Sequence, residues 1–417
     1  MEHAASGRSP GTIPDRPPGT VPDLPPALGP ALLLELAERH GTPLYVTDAG
    51  VMRDRWGRLR AAFPEAEIHY AAKANTNPAI LRVLREEGAG LDAVSEGEVV
   101  AGLRAGFPPE AITYTGVFPS DGELEAVLAR GTRLNADSEH DLERIARTAP
   151  GREIGLRINP GVGAGHHEHV VTGGPAAKFG ISATRIAGAW RRATDLGLRP
   201  AGLHMHIGSG ISEPDVVREA LARLARALGE VAAAGPPPRF ADIGGGIPVP
   251  YLPGEAPADL AALAAAVEDA LGRELRLVLE PGRYLVAEST VLLARVTGVK
   301  EGYVGVDAGF HTLLRPALYG ARHHVSNVTR PGAERVRVDV AGPLCESGDL
   351  LARGRSLPRP EPGDLLAVHT AGAYGYSMAS RYNSRPLPAE VLVDGRDVRL
   401  VRERESLEDL FARLRED

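Results

Sequence analysis

Residues 67–105 read EIHYAAKANTNPAILRVLREEGAGLDAVSEGEVVAGLRA. Within this stretch, Glu67–Ala71 and Leu91–Val94 have the length and apolar content of short buried strands. Each is followed by a helical run, Ala79–Glu87 after the first and Glu96–Ala105 after the second. Because a parallel neighbour strand is reached only through a crossover connection, this alternation indicates parallel βαβ units. The stretch therefore predicts an α/β fold.

The alternation of strand and helix continues to about residue 298. Six further candidate strands are Ile112–Tyr114, Arg133–Ala136, Glu153–Ile158, Pro200–His206, Phe240–Ile243 and Leu275–Leu279. Eight strands in roughly 250 residues favour a closed (β/α)8 TIM barrel. A doubly wound open sheet is the alternative that the pattern leaves open. We predict the barrel over residues 48–298.

The N-terminal segment differs from the barrel in composition. Residues 1–28 are rich in Pro, Gly and Ser without apolar periodicity, so we expect a disordered tail. An amphipathic helix around Leu32–Arg39 and a strand, Pro43–Thr47, follow this tail. The strand could join either domain, and we assign residues 29–47 to a segment that pairs with the domain after the barrel.

The last third of the chain has the pattern of an all-β domain. Short, partly alternating strands separated by Gly and Pro turns are Val336–Val340, Asp364–Val368 and Ala389–Val393. A final amphipathic helix is predicted over Ser406–Arg415. Residues 299–417 are therefore predicted to form a C-terminal β-sandwich or β-barrel domain.

Composition excludes several classes of function. With a formal net charge of -7 over 417 residues, the chain has no basic excess for nucleic acid or an anionic membrane. No apolar stretch approaches the roughly 20 residues of a membrane span, and no secretory signal is evident at the N-terminus. The single cysteine, Cys345, cannot form an intramolecular disulfide, which fits a reducing cytoplasm. We therefore expect a cytoplasmic protein that acts on a small molecule.

Lys73 directly follows the first barrel strand. The active-site face of a barrel lies at the C-terminal ends of its strands, so Lys73 is a candidate catalytic amine. Its small apolar neighbours would desolvate it and lower its pKa, which makes a neutral amine available for imine formation. A lysine after a strand is more often a solvated surface residue, so the assignment depends on the other strand ends.

Three other strand ends carry complementary chemistry. Gly244-Gly245-Gly246 can bring backbone N–H groups close to a phosphate. His206 and Ser209 supply an imidazole and a hydroxyl, and Glu280 supplies a carboxylate that would keep a pyridinium nitrogen protonated. An amine, a stacking imidazole, a phosphate cradle and a carboxylate together predict that Lys73 carries pyridoxal 5'-phosphate as a Schiff base.

From Thr42 to Phe411 the sequence resembles the fold-type III pyridoxal-phosphate decarboxylases, and within them the diaminopimelate decarboxylases. The motifs that carry the resemblance are, in chain order, His69–Asn75, Asp92–Glu98, Lys178–Ile181, His204–Ser209, Gly244–Gly246, Glu280–Arg283, Arg315–Gly320, Cys345–Asp349 and Ala373–Met378. The resemblance implies an alanine-racemase-like barrel followed by a β-domain.

The resemblance also implies roles for the cofactor-binding residues. Lys73 would hold the cofactor, His206 would stack on its ring and Glu280 would pair with its ring nitrogen, with Asp92 beside the imine. The remaining cofactor contacts implied by the family are Ser209, Gly245, Gly246, Gly282, Arg283 and Tyr374.

A second subunit would complete the site. In the family that the sequence resembles, the Cys-Glu pair comes from the partner, so Cys345 and Glu346 imply an obligate homodimer. Cys345 would return a proton to Cα, and a thiol suits this task because its pKa lies not far above neutrality. Lys73, His206 and Cys345 are thus the predicted catalytic residues.

The predicted substrate is meso-2,6-diaminopimelate, with L-lysine and carbon dioxide as products. Its second carboxylate calls for guanidinium groups with bidentate geometry. By resemblance, the substrate-binding residues are Arg283, Arg315, Tyr319, Glu346 and Tyr374.

Three alternatives remain open from the sequence. The same chemistry could act on another amino acid of the ornithine, lysine or arginine type, or on a D-configured or carrier-bound one in a secondary pathway. A racemase is a further alternative, against which the Cys345–Glu346 pair argues. A non-catalytic homologue is another, against which Lys73, Glu280 and Cys345 argue. His166, His167 and His169 lie in a Gly-rich loop, and we predict no metal site there, since no further ligands lie nearby.

Overall fold

The computed structural model describes residues 24–163, 174 and 177–415. Its strands are β1 (Leu44–Asp48), β2 (Glu67–Ala71), β3 (Gly90–Ala93), β4 (Ile112–Tyr114), β5 (Arg133–Ala136), β6 (Glu153–Asn159), β7 (Ile181–Ser182), β8 (Arg199–His204), β9 (Phe240–Asp242), β10 (Arg276–Leu279), β11 (Thr290–Lys300), β12 (Tyr303–Val306), β13 (Val325–Asn327), β14 (Arg335–Ala341), β15 (Leu350–Pro358), β16 (Leu365–Val368), β17 (Ala389–Asp394) and β18 (Asp397–Arg402).

The helices lie between these strands and at both ends of the described chain. They are α1 (Pro30–His40), α2 (Ala49–Ala62), α3 (Pro78–Glu86), α4 (Glu96–Ala105), α5 (Asp121–Ala129), α6 (Glu139–Thr148), α7 (Ile186–Asp195), α8 (Pro214–Ala234), α9 (Leu260–Leu271), α10 (Arg283–Val286), α11 (Arg315–Tyr319) and α12 (Leu407–Phe411).

Eight parallel strands close into a barrel. The hydrogen-bonded order is β5-β4-β3-β2-β10-β9-β8-β6, and β5 pairs with β6 to complete the ring. Each of the eight strands predicted from the sequence is present, and the closure rules out the open sheet. The prediction of a TIM-like barrel followed by a separate β-rich unit is confirmed.

Serine side chains begin three successive barrel helices. Ser95, Ser120 and Ser138 each accept a hydrogen bond from the backbone N–H three residues later, at the starts of α4, α5 and α6. Such N-caps satisfy backbone donors that the helix itself leaves unpaired. They therefore fix where each crossover helix begins after its strand.

Nine of the other ten described strands form a mixed sheet, and the tenth, β7, extends the barrel sheet by pairing with β6. The main order of the mixed sheet is β15-β14-β12-β11-β1-β17-β18, and β16 pairs with both β11 and β13. The early strand β1 lies inside this sheet, antiparallel to β11 and parallel to β17. After the barrel, the chain returns to this sheet at Thr290, before the predicted boundary at residue 298, because β11 starts directly after α10 and a short 3-10 turn.

The end of the predicted tail is packed against this sheet. Residues 1–23 lie outside the described residues, but residues 24–28 are described. Leu28 is fully buried in a cluster with Leu33 and Leu36, and the Ala27 N–H donates to Asp48 at 2.9 Å. The prediction of disorder does not hold for residues 24–28, since the cluster that buries Leu28 also contains residues distant in sequence, such as Val291.

The second sheet also holds the loop that carries Lys73. The Tyr374 N–H donates to the Ala74 carbonyl at 2.9 Å, and the Ser377 hydroxyl donates to the same oxygen at 3.2 Å. The Asn77 side chain donates to the Glu390 carboxylate at 2.8 Å. These contacts fix one rim of the barrel against the sheet. No described helix is long and apolar enough to cross a lipid bilayer.

Leu28→Ala should lower the free energy of unfolding by about 2–5 kcal/mol, because it leaves a cavity in a fully buried cluster. Denaturant or thermal unfolding measures the change, with Leu414→Ala as control, since Leu414 is 67% exposed. Equal stability of the two variants would contradict the packing of residues 24–28.

Candidate active site

Lys73 lies in a short 3-10 turn, Ala72–Ala74, immediately after β2. Its Nζ atom lies 2.8 Å from Asp92 Oδ2 at the end of the neighbouring strand β3. Asp92 is 1% exposed, and its second oxygen, Oδ1, is buried without a hydrogen-bond partner. The predicted amine and its predicted neighbour are thus held together by adjacent parallel strands.

The pKa of Lys73 differs from the prediction. Burial alone would lower it, but the charge of Asp92, together with Tyr374 and Glu280, outweighs burial and raises the pKa of Lys73. Burial and the nearby Glu280 raise the pKa of Asp92, while Lys73 lowers it. The expectation of a neutral amine is therefore wrong for the chain alone. The carboxylate that overturns it is not next to Lys73 in sequence.

Glu280 lies at the end of β10 with one oxygen engaged and one free. Its Oε2 lies 3.0 Å from His204 Nε2, whereas Oε1 is buried without a hydrogen-bond partner. Burial pushes the pKa of Glu280 up, but His204 and Lys73 outweigh it, so this pKa lies below its usual range. An ionised, buried and half-satisfied carboxylate is suited to a protonated ring nitrogen.

Asp242 supports Glu280 from β9. Burial and the Glu280 charge raise the pKa of Asp242 well above its usual range. Asp242 Oδ1 also accepts the Gly244 N–H at 2.9 Å. The oxygen and nitrogen atoms of His204, Asp242 and Glu280 lie within 4.8 Å of one another. The His204–Glu280 and Gly244–Asp242 hydrogen bonds hold this cluster in place.

The glycine run forms a backbone-only cradle. A Cβ atom on Gly245 would lie 2.3 Å from the Glu280 carbonyl oxygen. A Cβ atom on Gly246 would lie 2.9 Å from the Gly208 carbonyl oxygen, and Gly246 has a φ of +102°. Only glycine fits these two positions without displacing backbone. Such a cradle suits a phosphate, which backbone N–H groups can approach closely.

His206 follows β8 and lines a cavity together with Lys73 and Glu280. Its Nδ1 atom accepts the Gly245 N–H at 3.2 Å. Burial and the Lys73 charge lower the pKa of His206 to about 3, so the ring is neutral at physiological pH. A neutral imidazole can stack on an aromatic ring without a cost for burying charge.

One small cavity brings most of the predicted cofactor residues together. It is lined by Ala71, Lys73, His206, Ser209, Gly246, Ile247, Glu280, Pro281, Gly282, Arg283, Tyr284 and Tyr374. Gly245 and Asp92 lie against its wall through their bonds to His206 and Lys73. The amine, the free carboxylate oxygen and the glycine cradle fit pyridoxal phosphate.

A larger cavity of about 720 Å³ adjoins the first and shares Gly246, Ile247 and Arg283 with it. Arg315 and Tyr319, one turn apart on α11, line this second cavity. The structure thus places the predicted distal-end residues Arg283, Arg315 and Tyr319 next to the Lys73 cavity.

Cys345 and Glu346 are not among the residues that line either cavity. Both are exposed. The Cys345 thiol donates to Asn383 Oδ1 at 3.4 Å, and the Tyr382 hydroxyl donates to Glu346 Oε1 at 2.6 Å. A single chain therefore does not bring Cys345 and Glu346 to Lys73.

Four residues in or beside the two cavities were missed as functional candidates. His204 begins the quoted motif His204–Ser209, and Asp242 lies in the predicted strand Phe240–Ile243. Their positions at strand ends were the signal that could have identified them. Tyr251 and His323 contact the two arginines but carry no recognisable sequence signal. The sequence analysis predicted no metal site at the loop histidines His166, His167 and His169. These three residues lie outside the described residues.

The barrel part of the chain matches a known family. Residues 49–287 match the family model described as pyridoxal-dependent decarboxylase, pyridoxal binding domain. This match covers the strands and loops that carry Lys73, His206, Gly245 and Glu280.

Relatives are similar over nearly the whole chain. A diaminopimelate decarboxylase of Methanothermobacter thermautotrophicus is 48% identical over 403 residues, covering 92% of this chain and 94% of the relative. One of Streptomyces coelicolor is 41% identical over 413 residues, covering 92% and 91%. The crystal structure of the Helicobacter pylori diaminopimelate decarboxylase complexed with L-lysine superposes with a TM-score of 0.87 at 37% identity, covering 91% of this chain and 98% of that one.

Gly245→Ala should weaken the binding of pyridoxal phosphate by about tenfold to a hundredfold, because overpacking of about 1–3 kcal/mol falls on the cradle. The visible absorbance of the bound cofactor measures occupancy, and circular dichroism checks the fold. Gly229→Ala is the matched control, since a Cβ there has no heavy atom within 4 Å. Full occupancy of the Gly245 variant would contradict the cradle.

Proposed function

Since this chain belongs to the pyridoxal-dependent decarboxylases and, among them, to the diaminopimelate decarboxylase family, we propose that it converts meso-2,6-diaminopimelate into L-lysine and carbon dioxide. The observation that carries the substrate is the pair Arg283 and Arg315 beside the Lys73 cavity. Among the described residues, neither arginine forms an ion pair with a carboxylate. A substrate with a second carboxylate would supply that partner.

The burial of Arg315 strengthens this assignment. Arg315 is 1% exposed, and its Nε atom is buried without a hydrogen-bond partner. Burial lowers the pKa of Arg315 to about 10, so the guanidinium still carries its charge at neutral pH. A buried charge without an anionic partner is costly, and that cost is offset when a carboxylate binds.

The residues around Lys73 have separate tasks in this proposal. Pyridoxal phosphate, when bound, accepts the electrons of the breaking bond between Cα and its carboxylate. Lys73 Nζ holds the cofactor covalently, and Asp92 holds positive charge at that nitrogen. Glu280 Oε1 keeps the ring nitrogen protonated, and His206 covers the ring with a neutral face. The phosphate would be surrounded by Ser209, Gly245, Gly246, Gly282 and Tyr374.

Cys345 and Glu346 act in the neighbouring subunit's site in this proposal. Their exposure, and the 41% exposed ring of Tyr382 beside them, support a surface that another copy of the chain covers. Cys345 would donate the proton to Cα, and Glu346 would bind the distal ammonium of the substrate. The active unit is then a homodimer. An exposed thiol with this task must stay reduced, which supports a cytoplasmic location.

Incubation of the purified protein with meso-diaminopimelate, ornithine, lysine and glutamate should release carbon dioxide fastest from diaminopimelate. Arg315→Ala should reduce this preference, because a lost charge-assisted hydrogen bond costs about 1.5–3 kcal/mol. The measurement is kcat/KM for carbon dioxide release from each substrate. Faster release from ornithine or lysine would contradict the proposed substrate but leave the cofactor assignment intact.

Two inactive variants should complement each other if the site is shared. Lys73→Ala loses the cofactor band, and Cys345→Ala keeps the band but loses most turnover. Co-expressed in equal amounts, they should recover about a quarter of wild-type activity, since half of the dimers are mixed and each of these has one intact site. The readout is carbon dioxide release per subunit.

The matched control for complementation combines Lys73→Ala with Glu280→Gln. Both changes lie in the barrel part of the site, so no mixed dimer contains an intact site, and no activity should return. Absence of recovery in the Lys73/Cys345 mixture as well would show that the site does not form between subunits.

A further inference from the structure

The two arginines of the second cavity share one aromatic ring. The Arg315 Cζ atom lies 4.4 Å from the centroid of the Tyr251 ring, and the Arg283 Cζ atom lies 5.6 Å from it. An Arg283 guanidinium N–H also donates to the Tyr251 hydroxyl. Two like charges are thus held near each other by a π face and a hydroxyl oxygen.

His323 completes the support of Arg315. Its Nε2 atom accepts an Arg315 Nη1 N–H at 2.7 Å, and its Nδ1 N–H donates to the His369 carbonyl at 2.9 Å. His323 is fully buried, and its ring packs edge-on against Tyr251 with centroids 5.1 Å apart. Since Nδ1 donates and Nε2 accepts, the ring is neutral in a single tautomer.

These partners have a property that a carboxylate would lack. Buried arginines are usually paired with Asp or Glu, which cancels most of their charge. Tyr251 and His323 orient the guanidinium groups but leave the positive charge uncompensated. The Arg315 Nε donor also remains without a partner. The local charge is therefore held ready for an anion that enters the cavity.

We propose that Tyr251 and His323 are positioning residues that hold Arg283 and Arg315 with uncharged acceptors, so that both guanidinium groups keep their charge for the distal carboxylate of the substrate. This inference rests on the proposed function, because it takes diaminopimelate as the ligand. It adds a reason for the chemical nature of the support: the acceptor must be neutral, not merely present. The affinity for the carboxylate, rather than the rate of the bond-breaking step, should then depend on the neutrality of these acceptors.

The matched pair His323→Gln and His323→Glu tests this inference. The two side chains have nearly the same shape, and each places an acceptor oxygen near the position of Nε2, but only Glu brings a negative charge to Arg315. The KM for diaminopimelate should stay within about threefold of wild type in His323→Gln. In His323→Glu it should rise by about tenfold or more, with kcat changed far less.

Two further measurements separate a charge effect from misfolding. Inhibition by 1,5-diaminopentane, a diamine without any carboxylate, should be the same in both His323 variants, because the diamine makes no contact that depends on the arginine charge. Tyr251→Phe keeps the ring beside Arg315 and removes the hydroxyl acceptor of Arg283. This variant should therefore also raise the KM for diaminopimelate without weakening inhibition by 1,5-diaminopentane.

The outcomes distinguish the inference from the proposed function. Equal KM values in His323→Gln and His323→Glu, or equal loss of diamine and diaminopimelate binding, would overturn the positioning role. If the wild-type protein releases no carbon dioxide from diaminopimelate, the proposed function itself fails. If the His323→Glu variant does not fold, Tyr251→Phe is the deciding variant. An unchanged KM for diaminopimelate in Tyr251→Phe would overturn the inference.

Discussion

The closure of eight parallel strands is the constraint on which the site depends. Because β5 pairs with β6, the carboxyl ends of all eight strands meet at one rim. Lys73 follows β2, Asp92 lies on β3, His206 follows β8 and Glu280 follows β10. Residues more than 200 positions apart in the chain thus line one small cavity. An open sheet would have left these strand ends spread along an edge.

The electrostatics of the two cavities are opposite in kind. Around Lys73, charges are balanced: Asp92 lies against the amine, and His204 and Lys73 hold the pKa of Glu280 below its usual range. Around Arg315, charge is left uncompensated, since a neutral imidazole and a phenol hold the two guanidinium groups. The first arrangement suits a bound cofactor with its own charges, and the second suits an anion that arrives with each turnover.

Much of the fold followed from local patterns, and the deviations arise from contacts between residues that are distant in sequence. The eight barrel strands could be predicted because each is a short apolar run bounded by turns, and Ser95, Ser120 and Ser138 mark helix starts. The ordered packing of Leu28 could not be predicted, because this residue is buried by partners from other elements. The direction of the Lys73 pKa was wrong for the same reason, since Asp92 acts through space.

The sequence by itself determined the eight alternating strands, the lysine at a strand end and the motifs that place the chain among the pyridoxal-dependent decarboxylases. It did so because periodicity and short motifs are local properties of the chain. Only the tertiary structure decided that the eight strands close into a barrel, that Glu280 keeps one free oxygen, and that Tyr251 and His323 support the two arginines. These facts depend on which distant strands and loops become neighbours and on how deeply each charged group is buried. No single segment of the sequence determines either property.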